Sequence, residues 1–112
     1  MEERRRLDRK LLNYFSRVTD KENDRLLGYL VDLTTGGALM VGEAPLRTGS
    51  IVRLRIDLPE SFPEEQELEL RAKAVWSGPD PDAGLYRTGL QLIEAEPEDL
   101  VILERLIAEY GM

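Results

Sequence analysis

Twice between residues 51 and 76 the chain alternates apolar and polar or charged side chains with a period of two, and nothing else in the sequence restricts the fold as tightly. In IVRLRIDL, Val52, Leu54, Ile56 and Leu58 alternate with Arg53, Arg55 and Asp57. In ELELRAKAVW, Leu68, Leu70, Ala72, Ala74 and Trp76 alternate with Glu67, Glu69, Arg71 and Lys73. Successive side chains of a strand point to opposite faces, so each segment predicts a strand with one dry face and one wet face. The intervening Pro59–Pro63 segment, PESFP, is turn-forming and makes the two strands antiparallel neighbours.

Shorter apolar runs extend the pattern. RLLGYLVDL at 25–33 and GALMV at 37–41 are strand candidates joined through Thr34, Thr35 and Gly36, and the Gly36-Gly37 pair suits a tight corner. A first strand is expected from about Leu11 to Val18, ahead of the polar turn TDKEND, although its own pattern is ambiguous. LYRTGLQLI at 85–93 follows a Gly/Pro/Asp-rich loop, and its interior Gly89 predicts a bulge or a close approach. The period then changes. Pro97, with Glu96, Glu98 and Asp99 around it, suits a helix start, and Leu100, Leu103, Leu106, Ile107 and Tyr110 follow at spacings of three and four. A C-terminal helix is expected over about 96–110, stopping at Gly111. Six antiparallel strands of this length bury their inner faces by closing into a barrel or by folding into a sandwich, with the helix over an end or flank. The fold class is therefore all-β, in one domain of 112 residues with no internal repeat.

Composition narrows function. The chain has no cysteine and no histidine, which removes disulfides, cysteine nucleophiles, Ser-His triads, most zinc sites and the usual acid/base group near neutrality. The expectation is no enzyme, no metal and no resident cofactor. No apolar run approaches the ~20 residues of a membrane span, and no charged-then-apolar leader follows Met1, so a cytoplasmic protein without membrane insertion is expected. A net charge of -7 argues against DNA or RNA as partners. The first ten residues differ: MEERRRLDRK holds five basic against three acidic side chains, a local +2 that leaves -9 for the remainder. By composition this basic arm, residues 1–10, reads as a solvated tail or, through Leu7, Leu11 and Phe15, as the start of an amphipathic helix.

Three separated features stand together in one order: Arg5 and Arg9 in an RxxxR spacing, with Arg4 and Arg6 beside them; Asp32-Leu33-Thr34-Thr35-Gly36-Gly37; and Trp76, a loop and then Tyr86–Leu92. They resemble the PilZ domain, a bacterial receptor family for the second messenger cyclic di-GMP. The arginines match its RxxxR signature, Asp32, Thr34 and Gly37 fall at the signature positions of its [D/N]xSxxG turn, and the last segment is similar to its late strand pair. The order covers Arg4 to about Tyr110 and departs at Thr34, where the family usually has Ser; the hydroxyl is kept, but a methyl group is added and χ1 stiffens.

The resemblance implies a six-stranded antiparallel barrel over 11–112 with a C-terminal helix and a flexible basic arm. It also implies cyclic di-GMP as ligand and an unidentified downstream protein as partner. The residue types suit that ligand. An arginine fork addresses guanine O6 and N7 bidentately, stacks on a purine face and pairs with phosphate. A carboxylate at Asp32 would accept from guanine N1-H and N2-H, and Gly37 would admit the ligand close to the backbone.

Plain structural roles compete at each position. Asp32 can cap its own turn, Thr34 can serve as a strand-end residue, and Gly36 and Gly37 suit any tight corner. Trp76 and Tyr86 are expected in the barrel core rather than as stacking platforms, and Arg87 is assigned to neither site nor solvent. The alternative function is a PilZ-like interaction module of pilus or motility systems that binds no cyclic di-GMP.

Overall fold

The computed structural model describes residues 10–59, 62, 67–81 and 84–110. Among the described residues lie six strands: β1 (Lys10–Asp20), β2 (Leu26–Thr34), β3 (Gly37–Gly42), β4 (Ile51–Asp57), β5 (Glu67–Pro79) and β6 (Tyr86–Glu94). One helix, α1 (Pro97–Tyr110), follows them. The strands close into a barrel in the order β1-β2-β3-β6-β5-β4, with every pairing antiparallel. Closure leaves each inner face covered, which decides between barrel and sandwich. The arginines of the basic arm, Arg4, Arg5, Arg6 and Arg9, lie outside the described residues.

The alternating segments behave as their period requires. β4 and β5 pair without interruption from Ile51↔Lys73 to Asp57↔Glu67. Leu54, Ile56, Leu68, Leu70, Ala72 and Ala74 are buried inside the barrel with Val18, Leu30, Leu33, Ala38, Met40 and Leu90. Phe62, from the PESFP connection, joins this core. The TDKEND turn is held by its own polar side chains: Glu22 N donates to Asp20 Oδ1 at 2.9 Å and Arg25 N to Asn23 Oδ1 at 3.0 Å.

Helix α1 packs through Leu103 and Leu106, with Ile102, Ile107 and Tyr110 partly buried beside them. Leu100, expected in the same stripe, is instead 38% exposed. The inward face runs through positions 99, 103, 106 and 110, and Leu100 stands one residue off that line.

Trp76 also departs from expectation: it is 43% exposed and does not belong to the core. The register between β5 and β6 shifts between Ala74↔Leu90 and Trp76↔Gly89, so Val75 is an extra residue on β5. One inserted residue moves the next side chain to the opposite face, which turns Trp76 outward after four inward positions. Tyr86 is half-buried at the end of the β5-β6 hairpin, opposite Pro79 and Gly42, and is likewise no core residue. β5 runs to Pro79, beyond the expected end at 76, because Ser77, Gly78 and Pro79 continue the ladder to Thr88, Arg87 and Tyr86.

Two fully buried positions among the described residues are polar, Thr88 and Ser16, and of these Thr88 Oγ1 bonds Ser77 Oγ at 2.9 Å. Ser16 is fully buried, and among the described residues its Oγ has no hydrogen-bond partner. An unsatisfied hydroxyl of this kind costs about 1 to 3 kcal/mol.

Candidate functional site

The β2-β3 corner is built by Thr34. Its Oγ1 accepts from Gly36 N and Gly37 N, both at 3.1 Å, and lies 3.3 Å from the Gly37 carbonyl, to which it donates. The hydroxyl therefore satisfies two amides that a two-residue corner would otherwise leave open. Across the corner, Leu92 N donates to Gly36 O at 2.9 Å, tying it to β6. Gly37 is required by the barrel itself, since a Cβ there would collide with the Leu90 carbonyl oxygen.

Asp32 is placed by a second irregularity. The β2-β3 register shifts between Leu30↔Met40 and Asp32↔Leu39, leaving Val31 as the extra residue. That insertion lets both Leu30 and Leu33 face the core while Asp32 takes the outer side of the barrel wall. Asp32 is nevertheless only 5% exposed. A carboxylate on an outer wall that is still shielded from water differs from the many solvated acids of this chain.

The entry of β1 completes the arrangement. Lys10 pairs with Leu33 and Leu11 with Asp32. β1 thus begins beside Asp32, although Leu11 and Asp32 stand 21 positions apart in sequence. At the same level of the wall the ladder continues from Asp32 to Leu39, Gly89 and Trp76.

The wall also carries features with no motif to announce them. Trp76 packs on Gly89, where a Cβ would stand 2.6 Å from indole Cε2. The glycine in a strand interior was the available signal, and it marks both the bulge opposite and the close approach. A groove of about 680 Å³ runs over β2, β3 and β6, lined by Tyr29, Val31, Leu39, Val41, Asp80 and Arg87. Arg87 is thereby placed on the outer surface, its Nε donating to Asp80 Oδ2 at 3.2 Å.

A polar cleft of about 560 Å³ lies at one barrel end, between β4, β5 and the start of α1. There Lys21 Nζ meets Glu69 Oε1 at 2.7 Å. Burial, then the nearby Glu69 charge, holds the Asp99 carboxyl above its usual range, against a bond donated by the Glu69 backbone N–H. Among the described residues no cluster of three or more Asp and Glu groups is arranged to hold a metal ion. Among them, too, no helix is long and apolar enough to cross a membrane.

A closed antiparallel barrel with an ordered Asp-x-Thr-x-x-Gly corner, beside which β1 begins, has the form of a small binding module. The chain belongs to the PilZ domain family, whose model matches residues 3–109. PilZ domains are binding and regulatory domains. Among solved structures it is similar to the Bacillus subtilis inhibitor of motility MotI/DgrA, with a TM-score of 0.66 and 21% identity over 90% of this chain. It spans 51% of that protein's length. It is also similar to the PilZ domain of CeSA from a cellulose-synthesizing bacterium, with a TM-score of 0.57 and 20% identity. That alignment covers 89% of this chain and 94% of the other. At such identities the two structures establish the fold. No curated protein matches the chain.

Proposed function

We propose that the chain is a cytoplasmic receptor for cyclic di-GMP, which it holds between the RxxxR segment and the Asp32–Gly37 corner and reports to a partner protein. The observation that supports the reading is the pairing of Leu11 with Asp32, which starts β1 beside the one signature carboxylate. In this reading Arg5 and Arg9, flanked by Arg4 and Arg6, address guanine O6 and N7 and the phosphates. Asp32 accepts from the opposite guanine edge, where its shielding from water strengthens each bond. Gly37 admits the ligand to the corner backbone, and Thr34 holds that corner in shape. The receptor performs no chemistry on its ligand.

The partner reading draws on the family and on the inhibitor of motility among the similar structures. A motility or surface-attachment process is the setting it favours. A second reading, a PilZ-like interaction module without ligand, is favoured by one observation: the Thr34 hydroxyl proton points to the Gly37 carbonyl, and its oxygen already accepts two amides.

An NMR titration separates them. Under the receptor reading cyclic di-GMP shifts the amides of Asp32–Gly37 and of the first ten residues, and GTP does not. If the shifts spread evenly over the barrel, or do not occur, the interaction-module reading replaces it.

A further inference from the structure

Several pairings of the barrel carry register shifts, and the largest among the described residues is on β1. Lys10↔Leu33 and Leu11↔Asp32 follow one register against β2, whereas Ser16↔Leu30, Arg17↔Tyr29 and Val18↔Gly28 follow another. Between them, residues 12–15 of β1 cover the interval that Val31 alone covers on β2. A second shift follows between Val18 and Thr19. The phase-locked stretch Ser16–Val18 is thus bounded by slack on one side and a further irregularity on the other.

The opposite side of β1 is held by a short seam. β4 meets it at Val18↔Ile56, Thr19↔Arg55 and Asp20↔Leu54, in contrast to the unbroken β4-β5 ladder. At that seam Thr19 Oγ1 donates to the Arg55 carbonyl at 3.3 Å and accepts from Arg55 Nε at 3.2 Å. Arg17 pairs with Asp57 at 3.6 Å, and Arg55 also engages Asp24 and Glu67. Inside the barrel, the locked stretch carries the orphan hydroxyl of Ser16, so the register that the strand occupies is penalised.

From the slack, the second shift, the short seam and the orphan hydroxyl, we infer that β1 is a sliding strand whose movement remakes the charged surface at the β1-β4 seam. The alternation of faces restricts the slide to steps of two residues, which keep Val18-type positions inward. Residues 12–15 supply or absorb the length. A step separates Thr19 from Arg55 and Arg17 from Asp57; the exposed Arg17–Asp57 pair costs little to break, and the main resistance comes from the part-buried Thr19 bonds. The rest of the barrel keeps its ladders. The slide alters which of Arg17, Asp24, Arg55, Asp57 and Glu67 are paired, a change that a partner can read by charge.

The slide is a property of the barrel, but its coupling to cyclic di-GMP rests on the receptor reading. The arginine-bearing segment continues directly into Lys10, beside Asp32. Ligand held there pulls on one end of β1 and is reported at the other.

The absence of cysteine from the chain makes the test clean. Thr19→Cys with Arg55→Cys places two thiols at directly paired strand positions, whose separation suits a disulfide, and oxidation pins the seam. Hydrogen exchange on the free protein should show amides of Arg17–Thr19 and Ile56 exchanging at least about tenfold faster than those of Leu68–Ala74. Ser16→Ala should narrow that gap by relieving the penalised register, and oxidation of the cysteine pair should close it. Equal protection of β1 and β5 in the unmodified protein overturns the sliding strand, with or without a ligand. The oxidised pair should bind cyclic di-GMP at least about tenfold more weakly than the same protein reduced. Equal affinity in the two states overturns the coupling and leaves the receptor reading standing. No binding in any form, the unmodified chain included, overturns the receptor reading and the coupling, and the exchange gap still decides whether β1 slides.

Discussion

Trp76 occupies, on the outer wall of the barrel, the space that a side chain at Gly89 would fill. Each residue explains the other. The Val75 insertion turns the indole outward, and the glycine opposite gives it a floor. Gly89→Ala should therefore lift the indole into water, seen as a red shift in the emission of this single tryptophan, at a stability cost of about 1 kcal/mol. An unchanged emission spectrum would show that the ring does not rest on Gly89.

Thr34 should be a stability residue first. Thr34→Ala removes the acceptor for Gly36 N and Gly37 N and is expected to cost about 0.5 to 1.5 kcal/mol in denaturant unfolding. Thr34→Ser keeps the bonds and should recover most of that loss. If the serine variant is as destabilised as the alanine, the methyl group rather than the hydroxyl holds the corner.

At the helix start, the Asp99 carboxyl titrates above its usual range, so the folded state favours its protonated form. The sign follows: at neutral pH ionised Asp99 weighs against folding, and the burden lifts as pH falls through the raised folded-state value. Asp99→Asn, neutral at all pH, should melt higher than the parent chain at pH 7, with the difference shrinking toward pH 4. A difference that widens on acidification would reverse the assigned shift.

The strands and the helix were legible because their periods are local. Alternation at 51–58 and 67–76, the Pro97 start and the Gly36-Gly37 corner each follow from nearest-neighbour geometry, and their limits lie within a few residues of expectation. What escaped were the insertions. Val31 and Val75 look like ordinary strand residues, and only the partner strand reveals that each is one too many. For that reason Trp76 was placed in the core, and the outward but shielded setting of Asp32 was not foreseen. Likewise Thr34 reads as a strand-end residue, and its hold on the Gly36 and Gly37 amides depends on where one hydroxyl points. The roles of Arg4, Arg5, Arg6 and Arg9 rest on the motif and lie outside the described residues.

Substitution at the signature positions should separate ligand from fold. Asp32→Ala, Arg5→Ala and Arg9→Ala are each expected to weaken cyclic di-GMP binding by about 1 to 3 kcal/mol. For the two arginine variants the melting temperature should stay nearly constant, and the salt dependence of binding should flatten. An Asp32→Ala protein that melts markedly lower, yet whose folded fraction binds with parental affinity, would assign the carboxylate to the wall and not to the ligand.

Isothermal titration of the full chain with cyclic di-GMP, with GTP as the control, tests the central claim most directly. The receptor reading predicts saturable binding with a Kd of about 1 μM or tighter, worth roughly -8 kcal/mol or more, and far weaker binding of GTP, which offers one base and no cyclic phosphate frame. No heat, together with no amide shifts, at about 100 μM cyclic di-GMP would exclude that affinity and contradict the assignment of the Asp32–Gly37 corner as a nucleotide site.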